Sequence, residues 1–105
     1  MMLKNPIFIA SIALAISAAL DMATTMSGIS TGCTEANYIA LVFQQRYGVL
    51  EGMIARELLV TVPLAIAGAW FLYRRTRSVR MASLAVWVIV AAHVIATINN
   101  VLIQL

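Results

Sequence analysis

From Met81 to Ile103, "MASLAVWVIVAAHVIATINNVLI", the chain carries no Asp, Glu, Lys or Arg. As a helix rising about 1.5 Å per residue, this stretch covers about 35 Å, enough to cross a hydrocarbon core about 30 Å thick. Two further stretches have the same character. "PIFIASIALAISAALDMATTM", Pro6 to Met26, is broken only by Asp21, and Gly52 to Tyr73 holds its charges, Arg56 and Glu57, near its start. With 63% of 105 residues hydrophobic and 10% charged, the composition excludes an ordinary soluble globular domain.

The expected fold is therefore an all-α membrane protein forming a single transmembrane helical domain over residues 1–105, with spans at about 6–26, 52–73 and 81–103. Pro6 suits the first turn of a helix, where its missing N–H is not needed. Pro63, inside the second span, removes a backbone hydrogen bond and predicts a kink or local loosening. A cleaved signal peptide is the rival reading of the first span, because Lys4 precedes it and "SAA" at Ser17 to Ala19 resembles a cleavage site. We take it as a span. Residues 35–47 read as a connecting helix closed by Gly48, too short in its apolar part to cross and so interfacial or re-entrant. If it crossed fully, the chain would be a four-span bundle.

Four of the seven basic residues, Arg74, Arg75, Arg77 and Arg80, crowd the turn between the second and third spans. Basic loops face the cytoplasm and attract anionic lipid. This sets the expected localisation: an integral protein of a cell's inner or plasma membrane, amino terminus cytoplasmic and carboxyl terminus on the opposite side. A basic cluster could grip nucleic acid, but no aromatic interleaving accompanies it, and no nucleic-acid partner is expected. Cys33 is the only cysteine, so neither an intrachain disulfide nor a cysteine metal site can form.

Each span has one face unfit for lipid. On a helix Ser17, Asp21, Thr24, Thr25 and Gly28 share a side, with Ala10, Ala13 and Leu14 behind them. His93, Thr97, Asn100 and Gln104 form a line on the third span, and Thr61, Ala65 and Gly68 continue from Glu57 on the second. Asp21, Arg56 and Asn100 each lie about 8–12 Å from the centre of their span. The chain alternates direction, so all three offsets point to the non-cytoplasmic side, where Glu35 and Asn37 begin the connecting helix. The expected polar cluster is Asp21, Thr24, Thr25, Glu35, Asn37, Arg56 and Asn100, with His93 deeper. An unpaired Asp in hydrocarbon costs about 2.5–3.5 kcal/mol. Arg56 should therefore bridge Asp21 or Glu35, with Asn100 and Thr25 supplying hydrogen bonds.

His93 alone reads as a packing residue, and no metal or cofactor is expected, since metal sites need several converging ligands. No zinc-protease spacing, nucleophile elbow or phosphate loop occurs, and the catalytic residues, if any, are unknown. Gly28 with Gly32, and Gly48 with Gly52, read as turn formers at span ends. Ala15 with Ala19, and Ala92 with Ala96, are the expected small-residue contact points.

The order of these residues resembles the small membrane-protein family catalogued as domain of unknown function 5658. The matching positions are Asp21, Thr24, Thr25, Gly32, Glu35, Asn37, Arg56 and Asn100. Tyr38 stands where that family has proline, and Arg56 where it more often has lysine. The resemblance implies a shared polar centre and carries no activity with it. Two functions are then expected to compete. One is a non-enzymatic bundle that forms a homo-oligomer or serves as an accessory subunit of a membrane complex. The other is a working site for proton-coupled movement of a small solute, or for chemistry on a lipid head group.

Overall fold

A computed structural model describes residues 5–30 and 38–104, all helical apart from short turns and without a strand among them. Glu35 and Asn37, the first part of the expected connecting helix, and Gly32 and Cys33 lie outside the described residues.

Helix α1, Pro6–Ser30, starts where Asn5 Oδ1 accepts hydrogen bonds from the backbone N–H of Ile7 at 2.9 Å and Phe8 at 3.4 Å. Such a side-chain cap satisfies donors that the first turn leaves orphaned. Helix α2, Tyr38–Tyr47, folds back on α3, Val49–Arg56, through Gly48 at φ 98°. Only glycine adopts that angle without strain. The two helices then approach closely: a Cβ on Gly52 would lie 2.5 Å from the Phe43 carbonyl oxygen.

Beyond α3 the chain continues without a break through a π-helical turn, Glu57–Thr61, into α4, Val62–Thr76. The loosening expected at Pro63 appears here, one turn earlier than the proline itself. Pro63 has no N–H to give, and its ring would crowd the carbonyl four residues back. The wider turn, in which Val62 N–H donates to Glu57 O, accommodates both. α4 ends at Arg77, which takes the left-handed conformation at φ 56° and donates its N–H to Tyr73 O at 2.7 Å. Ser78 then caps α5, Val79–Leu102, accepting from Met81 N–H at 3.3 Å.

α5 is the central helix, packed along both α1 and α4, while α1 and α4 make at most marginal contact with each other. The core between them is made of small and branched residues, Ala10, Ala65, Val86 and Val90, with Ala13, Leu14 and Ile89 against it. The small residues buried between helices are Ala10, Ala18, Ala65 and Ala82, while Ala15, Ala19 and Ala92 lie on the outside of the bundle.

The outside of the bundle is apolar. Leu58, Leu59, Leu64, Ile66, Val88 and Ile95 are 62–69% exposed. A monomeric soluble protein rarely shows contiguous apolar surface on this scale. Pro6–Gly28 and Val79–Leu102 are long and apolar enough to cross a membrane.

Candidate functional site

The polar faces of α1 and α5 meet along their length near the carboxyl-terminal ends of both helices. Asn100 Nδ2 lies 3.2 Å from Asp21 Oδ1 and 3.0 Å from both Thr24 Oγ1 and Thr25 Oγ1. Thr24 donates its own proton to Leu20 O at 2.8 Å, leaving its oxygen lone pairs to accept from Asn100. One turn on, Gln104 Nε2 donates to Thr24 O at 3.1 Å, and Gln104 Oε1 accepts from Ser27 at 2.9 Å. The i, i+4 spacing of Asn100 and Gln104 thus reads out as two rungs across one helix pair. Thr97 stays out of this ladder, turning its hydroxyl back to His93 O at 2.8 Å.

The charged part lies beside it. Arg56 Nη2 donates to Glu57 Oε1 at 2.8 Å and reaches Asp21 Oδ2 at 3.5 Å. Asp21 and Arg56 therefore meet as the sequence reading supposed, yet the shorter contact is with Glu57. The same Glu57 oxygen is 2.9 Å from His93 Nε2, whose other ring nitrogen, Nδ1, is 2.9 Å from the carbonyl of Ile89. His93 thus joins the acid and arginine group through Glu57.

Arg56 ends α3 and Glu57 opens the π turn, a kind of bulge that recurs at functional sites, and both keep ordinary α-helical backbone angles. Their side chains diverge by about 100° as in any α-helix, and the long Arg56 side chain spans that angle to reach the Glu57 carboxylate at 2.8 Å. Arg56 and Glu57 sit where the α-helix gives way to this turn, and both are largely enclosed. Their side chains are 13% and 11% exposed, beside 9% for Asp21 and 8% for His93.

The proton count of the site is constrained by geometry. Both acceptors facing the His93 ring, a carbonyl and a carboxylate oxygen, need a hydrogen from it. If Nδ1–H is donated to Ile89, Nε2 and Glu57 Oε1 would oppose lone pair to lone pair unless one proton lies between them. With that proton, Asp21, Glu57, Arg56 and His93 sum to zero charge. Arg56 Nε is buried with no hydrogen-bond partner among the described residues.

Asp21, Glu57 and His93 each offer a ligand atom, all within 4.8 Å of one another, which is a spacing a metal ion could use. Arg56 Nη2, however, lies between the two carboxylates and supplies the positive charge a metal would bring. A cavity of about 230 Å³ reaches Asp21, Arg56, Thr61 and His93 and is otherwise lined by apolar residues, including Leu64 and Ala92 on its exposed rim. It opens on the side of the bundle, between α4 and α5.

Arg74 and Arg75 lie with their guanidinium groups 6.0 and 5.9 Å from the rings of Trp70 and Phe71, in cation–π range. Arg77 ends α4, and Arg80 lies in the first turn of α5; both are exposed.

Glu57 is the residue that the sequence reading left out of the cluster. Its signal was present: it heads the face carrying Thr61 and Ala65, both buried here. Compared with family models, with curated proteins and with solved structures, the chain matches none of them.

Proposed function

We propose that the chain is a three-span integral membrane protein of the inner or plasma membrane, its amino terminus and the basic loop at 74–80 cytoplasmic. α1, the rod made of α3, the π turn and α4, and α5 are the three spans, and α2 lies at the interface. In this reading it is a non-enzymatic bundle that works as a homo-oligomer or as an accessory subunit of a larger membrane complex. Membership in the family of domain of unknown function 5658 is part of the proposal. What supports it is that Asp21, Thr24, Thr25, Arg56 and Asn100, far apart in sequence, converge in one network.

The observation that carries the structural role is this closure. A neutral, mostly satisfied network ties α1 to α5 and both to the π turn, as polar groups do when they fix helix alignment in lipid. The test is light scattering on the detergent-extracted protein. Asp21→Asn is expected to lower thermal stability or change the oligomer mass. An unchanged stability and mass would overturn the fastening role.

A second reading is favoured by the side cavity and by the proton held between Glu57 and His93: a site for proton-coupled movement of a small solute, or for head-group chemistry. Ionisable groups inside membranes are functional candidates by default. In liposomes with an imposed pH gradient, proton flux lost in Glu57→Gln would support it. No flux above empty liposomes would leave the fastening role alone.

A further inference from the structure

Two concavities run together between α1 and α4, and a third, on the surface of α4, adjoins them at Trp70. The first, of about 470 Å³, lies between α1 and α4 over Val86 of α5, with Leu14, Ala18, Ala65 and Ala69 among its walls and Glu57 at its inner end. It shares Ile7, Ile66 and Ala69 with a second, of about 400 Å³, that adds Trp70 and Tyr73. Trp70 in turn borders a third, where Phe71, Arg74 and Arg75 form the walls. The groove exists because α1 and α4 both pack on α5 and scarcely on each other.

Its length and polarity are those of one lipid. From Thr61 to Arg74 the helix rises about 20 Å. That is half of the roughly 40–45 Å of a bilayer with its head-group regions, the height of a single leaflet. The deep part is apolar and the mouth is basic and aromatic. Arg74 and Arg75 are exposed there, each held over a ring, and guanidinium groups match phosphate oxygens in pairs. A second copy of the chain would fit this mouth poorly. In one membrane, orientation places its own arginine cluster at the same level, so like charges would meet.

We propose that this groove binds one phospholipid of the cytoplasmic leaflet with an anionic head group, one acyl chain lying between α1 and α4 and the phosphate on Arg74 and Arg75. The inference rests on the membrane orientation proposed above.

The test is native mass spectrometry of protein released from nanodiscs of mixed phosphatidylglycerol and phosphatidylcholine, counting retained lipid as collision energy rises. The wild type should keep one phosphatidylglycerol. Arg74→Gln with Arg75→Gln should lower the preference for it roughly thirtyfold, as expected from two lost surface charges at about 1 kcal/mol each. Ala15→Phe with Ala69→Phe should lose lipid of both kinds. The arginine variant alters only exposed side chains, so it decides the matter even if the filled groove prevents assembly. Retention equal in the wild type and the arginine variant would overturn the proposal, as would a groove-filled variant that dissociates a wild-type oligomer while keeping its lipid. Alkaline extraction of cell membranes separates the two levels. A chain that leaves the membrane overturns the membrane reading itself, whereas one that stays but shows no lipid preference overturns only the site.

Discussion

Replacing Arg56 with methionine removes the one guanidinium that two carboxylates share while keeping much of the side chain's length and apolar bulk. Asp21 and Glu57 are then left 9% and 11% exposed with only the proton at His93 to offset them. Removing one member of a buried ion pair typically costs about 3–5 kcal/mol, because the other charge stays behind. Insertion scales place an uncompensated carboxylate in a membrane at about 2.5–3.5 kcal/mol. The two ranges overlap near ~3 kcal/mol, which is the destabilisation expected for Arg56→Met. Asn100→Ala, which removes neutral hydrogen bonds, should cost only ~1 kcal/mol. Reversible unfolding in mixed micelles, followed by far-ultraviolet circular dichroism, measures both.

The sharper form of this prediction is a double-mutant cycle. If the cost comes from a stranded carboxylate, Glu57→Gln added to Arg56→Met should recover part of it, with a coupling of about 1–3 kcal/mol. Coupling to Asp21→Asn should be smaller, because Arg56 is 2.8 Å from Glu57 but 3.5 Å from Asp21. Additivity within ~0.5 kcal/mol, or an Arg56→Met no costlier than Asn100→Ala, would refute the reasoning.

Other perturbations follow from single distances. Gly52→Ala would drive a methyl group to 2.5 Å from the Phe43 carbonyl oxygen and 2.6 Å from Gln44 Cα. Overpacking of that kind costs about 1–3 kcal/mol, and limited proteolysis should show α2 released from α3. Gly68→Ala meets only the Ala85 side chain, at 3.0 Å, and should be milder in the same assay. Asn100→Asp puts a second carboxylate 3.2 Å from Asp21 Oδ1 in place of a donor, so it should destabilise more than Asn100→Ala in the unfolding assay.

Much of this arrangement is legible in the chain. Helix type, the polar faces of α1 and α5, and the meeting of Asp21 with Arg56 and with Asn100 follow from 3.6-residue spacing and from the place of each residue along its apolar stretch. Two things do not follow. Nothing in the spacing of Glu57 marks that its carboxylate lies 2.8 Å from Arg56 and 2.9 Å from His93. His93 looks isolated for the same reason, since its partner sits on another helix. The open groove between α1 and α4 is likewise invisible to periodicity, which assigns faces to single helices but not the pairs of helices that stay apart.

The central claim, three crossings with the polar network inside, is tested most directly by side-specific labelling with a membrane-impermeant maleimide in intact cells. Cys33 is the only native cysteine, and Ser78→Cys and Ile103→Cys can be placed singly in a Cys33→Ser background. The account predicts that Cys33 and the position-103 variant react from outside, and the position-78 variant only after the membrane is opened. Labelling of Cys33 and the position-78 variant from the same side would contradict it.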